Sequence, residues 1–180
     1  MRTEVRIAGF GGQGVGLAGF LLGKALALYE DRDAVMTQSY GPEARGGESS
    51  ANIVLSDQPI AYPFVQHPDI LIALSQEAYN RFRPEVKAQA MVLVDQDLVA
   101  PLNGDATISI PATRMAEDLG QRLIANVVML GCLSGMTGLV DRESLEESIR
   151  TTLKSKLVDL NLKAFTAGYL YGREMRETKV

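Results

Sequence analysis

Six short runs of the chain are dense in apolar and β-branched residues: Val5 to Phe10, Ala34 to Tyr40, Ser50 to Leu55, Asp69 to Ser75, Ala90 to Asp95 and Thr107 to Ile110. Two of them, DILIALS and AMVLVD, are nearly all apolar, as strands covered on both faces are. Helical patterns lie between and after these runs. The spacing predicts helices over Gly14 to Tyr29, Gln76 to Lys87, Ala112 to Leu119, Asn126 to Thr137, Glu143 to Lys156 and Val158 to Arg176. In the last of these, Val158, Leu162, Phe165 and Tyr169 share one helical stripe. Asp141 is placed to cap the helix it precedes, and Gly138 to stop the one before that. Strands alternating with helices predict an α/β protein: a single Rossmann-like domain, 1–180, with a mostly parallel sheet and helices on both faces.

Two of the helical segments lack the polar stripe of a surface helix. VGLAGFLLGKALAL, after Gly14, is apolar on nearly every side and carries Ala18, Gly19 and Gly23. NVVMLGCLSGMT, from Asn126, places Gly131 and Gly135 four apart. Glycine inside a helix costs roughly 0.5–1 kcal/mol relative to alanine, so close approach of another backbone must offset it. Either tight packing within the chain or burial against another subunit would do so.

Composition narrows the function classes. The 180 residues are enough to bury a core without disulfides or metals. A formal net charge of -4 provides no overall field for nucleic acid or an anionic membrane. The single cysteine, Cys132, and single histidine, His67, exclude a disulfide framework, an iron–sulfur cluster held by this chain alone and a His/Cys zinc site. The start of the chain carries no apolar signal core, and no apolar stretch approaches the ~20 residues of a spanning helix. The expected location is cytoplasmic.

The candidate chemistry lies in two glycine-rich turns. Gly9, Gly11 and Gly14 satisfy G-x-G-x-x-G immediately after a strand and into a helix, where glycines permit a tight turn and backbone N–H groups can approach a phosphate. An NAD site also needs an acidic residue at the end of the second strand. That strand ends in Gln38, Ser39 and Tyr40, which argues against an ordinary NAD-dependent dehydrogenase. The turn instead carries Gln13, whose amide is expected in the cradle. The second turn is SYGPEARGGESS, Ser39 to Ser50. In a parallel sheet the loops after strand C-termini gather at one edge, which would bring it beside Gly11 to Gly14. Its Arg45 could grip a phosphate or carboxylate, or pair with Glu43 or Glu48. Ser75, Gln76 and Asp95 end other strands and could line the same edge, Asp95 equally as a cap or turn residue.

These segments together resemble the gamma subunit of the 2-oxoacid:ferredoxin oxidoreductases. The likeness rests on VRIAGFGGQGV at Val5 to Val15, QSYGPEARGGESSANIVLSD at Gln38 to Asp57 and PDILIALSQEAY at Pro68 to Tyr79. It continues through IPATRMAEDLG and IANVVMLG to LNLKAFTAGY at Leu160 to Tyr169. The resemblance implies a Rossmann-like domain that binds neither NAD nor FAD. It would help form the cleft where CoA reaches a thiamine adduct held by partner subunits. Carried over by position, Gly11, Gly12, Gln13 and Gly14 would form the cleft loop. Tyr40, Gly41, Glu43, Arg45, Gly46 and Gly47 would form a second loop at that interface. The QSYGPEARGG form looks more like the 2-oxoglutarate branch than the pyruvate branch. No thiamine diphosphate and magnesium signature and no Cys-x-x-Cys motif is present. Thiamine diphosphate, Mg and iron–sulfur clusters are therefore expected on partner chains: alpha and beta subunits, a ferredoxin-like subunit and ferredoxin. A catalytic residue is not expected on this chain.

The remaining candidates have plain readings. Cys132 lies in an apolar helical run and reads as a core thiol. His67 reads as a surface or turn residue. Arg150, Lys154 and Lys156 read as a solvated helix face. Asn126 could bond a loop carbonyl, cap its own helix or reach the cleft.

Overall fold

The nearly all-apolar runs become strands with no solvated face. Ile70–Ala73 is buried at every position, and so is Thr3–Gly9 within the first strand. The computed structural model describes residues 1–41 and 47–178. Among these, β1 (Arg2–Phe10), β2 (Asp33–Tyr40), β3 (Glu48–Ser56), β4 (Ile70–Ala73), β5 (Met91–Asp95) and β6 (Ile108–Ile110) form one sheet in the order β2-β3-β1-β4-β5-β6. β1, β4, β5 and β6 pair in parallel, while β3 runs antiparallel to both β1 and β2. All strands except β3 therefore point the same way, and the sheet is mostly parallel.

The helices are α1 (Val15–Lys24), α2 (Gln76–Phe82), α3 (Ala112–Asp118), α4 (Ala125–Thr137), α5 (Arg142–Thr152) and α6 (Ser155–Glu177). One face of the sheet, presenting Val5, Ile7, Ile53, Ile72 and Leu93, packs against α1, α3, α4, α5 and α6. On the other face Ala8, Leu71, Ala73 and Val94 lie under Ala78, Tyr79 and Phe82 of α2. Each such apolar side chain contributes about 1.5–3 kcal/mol when fully buried.

Two sequence expectations need correction and a third is sharpened. Strand–helix alternation breaks between β2 and β3, which form an antiparallel hairpin; the chain between Tyr40 and Glu48 is too short for the dozen or more residues of a parallel crossover. The helix predicted to Lys156 stops at Thr152, because Leu153 and Lys154 are extended (ψ 152° and 142°) before α6 begins at Ser155. The Val158/Leu162/Phe165/Tyr169 stripe borders the deepest face: Phe165 is fully buried, Leu162 and Tyr169 pack against the core, and the most buried line runs through Asn161, Ala164, Phe165, Gly168 and Gly172.

Glycine explains that placement of α6. A Cβ on Gly131 would collide with the Phe165 carbonyl and come within 2.7 Å of Tyr169 N, and one on Gly135 would meet the Tyr169 carbonyl. Reciprocally, Gly168 faces the Val128 carbonyl and Gly172 the Cys132 carbonyl. α4 and α6 touch backbone to backbone, so the Gly131 and Gly135 spacing is consumed within the chain. Cys132 is buried in this contact, and burial pushes its thiol pKa up to about 12, which makes it an inert core residue.

Candidate functional site

The glycine turn joins the C-terminal end of β1 to the start of α1. Gly12 and Gly14 have positive φ (98° and 71°), a conformation that only glycine adopts without strain. Gly9 is required for a different reason: a Cβ there would lie 2.5 Å from Gln13 Oε1 and 3.1 Å from Leu74 Cβ. Among the described residues nothing lies within 4 Å of where a Gly12 Cβ would project, and Gly12 is exposed.

Gln13 does not point outward. Its Oε1 accepts from Phe10 N at 2.7 Å and its Nε2 donates to the Leu74 carbonyl at 2.8 Å, stitching the ends of β1 and β4 together beneath the turn. The Gly11 amide donates to the Gly47 carbonyl at 2.8 Å, and the Gln13 amide to the Phe10 carbonyl at 3.1 Å. Among the described residues, the amides of Gly12 and Gly14 have no such partner. No side chain caps the start of α1. The turn therefore offers a ligand backbone donors and an open glycine surface rather than side-chain functional groups.

The Gly11–Gly47 hydrogen bond brings the two glycine loops together at one edge of the sheet. Gly41 closes the far side of the hairpin by donating to the Glu48 carbonyl at 2.7 Å. Tyr40 is exposed, and its hydroxyl donates to Gln38 Oε1 at 2.5 Å. Below this loop Arg81 of α2 pairs with Glu48, closing a cleft of about 130 Å³ lined by Ser39, Tyr40, Gly41, Glu48, Ser50, Arg81 and Phe82. The pair is partly exposed and is expected to contribute little to stability. Glu43, Arg45 and Gly46 lie outside the described residues.

The other strand-end candidates are committed to holding the fold. Ser75 caps α2, its Oγ accepting from Ala78 N at 3.2 Å. Gln76 ties α2 to Ala100 through both ends of its amide. Asp95 is fully buried: it accepts from Thr113 N (2.9 Å), Thr113 Oγ1 (2.7 Å) and Asp97 N (3.0 Å), fastening α3 to the end of β5. His67 is an exposed residue bonded to the Glu85 carbonyl, and Arg150 pairs with Glu146 on the solvated face of α5. No cluster of three or more His, Cys, Asp or Glu able to hold a metal occurs among the described residues.

Two features were not legible in the sequence. Arg6, read as one residue of a strand, is buried on the α2 face. It donates to Asn52 Oδ1 (2.7 Å) and the Val65 carbonyl (3.2 Å), pairs with Glu85, and lies 4.6 Å from the Phe82 ring centroid. Second, a cluster of Tyr79, Arg83 and Asp105 pins the chain between β5 and β6 onto α2. The Arg83 guanidinium holds the Asp105 carboxyl below its ordinary range, while burial raises Tyr79.

An apolar surface lies open beside the edge strand. Phe20 and Leu28, 49% and 66% exposed, flank a groove of about 300 Å³ with Gly23, Lys24, Ala27, Ala34 and Met36, where α1 meets the edge strand β2. No described helix is long and apolar enough to cross a membrane.

The model of the pyruvate ferredoxin/flavodoxin oxidoreductase family matches residues 4–171. The chain is 47% identical to the 2-oxoglutarate synthase subunit KorC of Methanocaldococcus jannaschii, over 97% of this chain and 96% of the relative. It is similar in structure to the gamma subunit of a keto/oxoacid ferredoxin oxidoreductase from Geobacter sulfurreducens: 36% identity, TM-score 0.86, covering 96% of this chain and 97% of that one. The 2-oxoglutarate:ferredoxin oxidoreductase of Magnetococcus marinus, with 2-oxoglutarate, coenzyme A and succinyl-CoA bound, shares the fold at 20% identity and TM-score 0.87, over 96% of this chain and 31% of that one.

Proposed function

The chain belongs to the pyruvate ferredoxin/flavodoxin oxidoreductase family as a gamma-type subunit of a 2-oxoacid:ferredoxin oxidoreductase, and on that premise we propose that it walls the cleft in which CoA meets the thiamine adduct held by partner subunits. The substrate of the assembled enzyme is 2-oxoglutarate, converted with CoA and oxidised ferredoxin to succinyl-CoA and CO₂. The observation that carries this reading is the joined pair of glycine loops. The Gly11–Gly47 hydrogen bond sets them at one edge of the sheet, with Gly12 exposed and, among the described residues, two amides of the turn without a partner.

The chemistry of that edge suits a wall rather than a reaction centre. The carboxylate of Asp95, the hydroxyl of Ser75 and the amide of Gln13 are committed to backbone or to Thr113, so none is available as acid, base or nucleophile. Backbone amides and glycine surface let an extended, phosphate-bearing ligand approach closely without a side chain in the way. Thiamine diphosphate with Mg, and the iron–sulfur clusters, are carried by the partners: alpha and beta subunits and a ferredoxin-like subunit, with ferredoxin as electron acceptor. The exposed groove of Phe20, Leu28 and Met36 supplies the docking surface for the thiamine-binding subunits.

Substituting Gly12 by Ala tests the cleft in the complex assembled with its partner subunits. The new Cβ meets no described atom within 4 Å but strains the backbone at φ 98°, so it perturbs the turn together with whatever faces it. The expected result is a raised KM for CoA with assembly retained; an unchanged KM for CoA would contradict the reading. A panel of 2-oxoacids tests the substrate: kcat/KM is expected to be highest for 2-oxoglutarate, and a preference for pyruvate or indolepyruvate would assign the chain to another branch.

A further inference from the structure

We infer that Asn126 is a positioning residue for the CoA-facing turn, acting through the carbonyl of Gly14; the inference rests on the cleft reading above. Asn126 lies in the first turn of α4, far from the glycine turn in sequence, yet its Nδ2 donates to the Gly14 carbonyl at 2.9 Å. Its Oδ1 accepts from Val127 N at 2.9 Å, so the amide is held at both ends and its orientation is fixed. The side chain is only 3% exposed.

The fit between the two residues is close on both sides. Gly14 is in the left-handed region, and a Cβ there would collide with Asn126 Nδ2. Gly14 is also the residue from which α1 starts: its carbonyl accepts the first helical amide, from Ala18 N, at 2.9 Å. One carbonyl thus receives both the helix and the Asn126 amide, and its direction fixes the Gly14–Val15 peptide plane, the point at which the turn from Gly12 joins α1. α4 is a rigid reference for this contact because its other end is locked to α6 by Gly131 and Gly135. A side chain that touches no substrate can in this way hold the open part of the turn at a fixed height above the sheet. Loss of a buried hydrogen bond to a carbonyl is worth about a factor of ten when the lost order is expressed in ligand binding. Positional errors well below the size of an atom suffice for such losses at a preorganised site.

The test uses the assembled complex with Asn126→Ala and Asn126→Asp. The second variant keeps an acceptor for Val127 N while placing an acceptor against the Gly14 carbonyl. The expected outcome is a KM for CoA raised about tenfold, with KM for the 2-oxoacid unchanged and assembly retained, alongside a lowered thermal midpoint from the lost buried hydrogen bond. If Asn126→Ala does not assemble, Asn126→Asp is read alone. A parallel rise in KM for both substrates, or an unchanged KM for CoA while Gly12→Ala raises it, would overturn the role of Asn126 and leave the cleft reading standing. An unchanged KM for CoA in Gly12→Ala as well would overturn both.

Discussion

α1 and α4 look alike as sequence and behave differently as structure. Both are apolar all round and both carry glycines at helical spacing. In α4 the glycines are met by backbone of α6, and every residue from Asn126 to Met136 is buried. In α1, Gly19 is met by Ala51 and Met36, but the nearest atom to a Cβ on Gly23 would be 3.8 Å away, and Phe20, with Leu28 in the π-helical segment Ala25–Tyr29 that continues α1, is exposed. The same composition thus serves closure within the chain in one helix and leaves an apolar face outward in the other. An apolar helix therefore declares burial but not its partner; only the register of glycines against a second helix separates the two cases.

The comparison can be broken at its tightest point. Gly168→Val inserts side-chain atoms where the Val128 backbone lies, and backbone cannot move aside as a flexible side chain can. It is expected to destabilise the isolated chain by at least about 3 kcal/mol, seen as a large fall in the denaturant midpoint. A shift near zero would mean that α4 and α6 are looser than described.

The outward face is expected to respond in the opposite way. Leu28→Glu should change the stability of the isolated chain by no more than about 0.5 kcal/mol, because the residue is mostly in solvent. Co-purification of the thiamine-binding subunits should nevertheless be lost. A Leu28→Glu chain that assembles normally would place the docking surface elsewhere.

The smallest effect concerns acid. Asp105 has its pKa lowered in the fold, first by hydrogen bonding from Arg83, so its contribution to stability is present above the ordinary carboxylate range and is lost as pH falls through the folded value. The stability difference between the parent and Asp105→Asn is therefore expected to shrink on acidification, and to be constant from neutral pH down to the start of carboxylate titration. A difference that grows as pH falls would contradict the pairing.

Much of this architecture was legible in the sequence, for stated reasons. Period and apolar density located the six described strands, most plainly β4 and β5, because buried parallel strands tolerate few polar positions. The glycine turn was legible because positive φ at Gly12 and Gly14, and close packing at Gly9 and Gly14, admit almost nothing else. The β2–β3 hairpin was hidden because a loop rich in glycine looks the same whether it reverses the chain or leads into a crossover. Gln13 was expected in the cradle, yet its amide serves the ends of β1 and β4, a pairing set by strand order rather than by local sequence. Arg6 was invisible as a buried charge because its partners Asn52, Val65 and Glu85 come from distant parts of the chain. Asn126 left several readings open, and only tertiary placement selected the Gly14 carbonyl.

Amide hydrogen exchange, compared between the isolated chain and the assembled complex, tests the central contrast most directly. Slowed exchange on assembly is predicted along the α1–β2 edge and at the glycine turn, with little change in α4 and α6, which are already sealed against each other. Exchange that is unchanged at the α1–β2 edge and the turn, with protection appearing on other surfaces instead, would contradict the account.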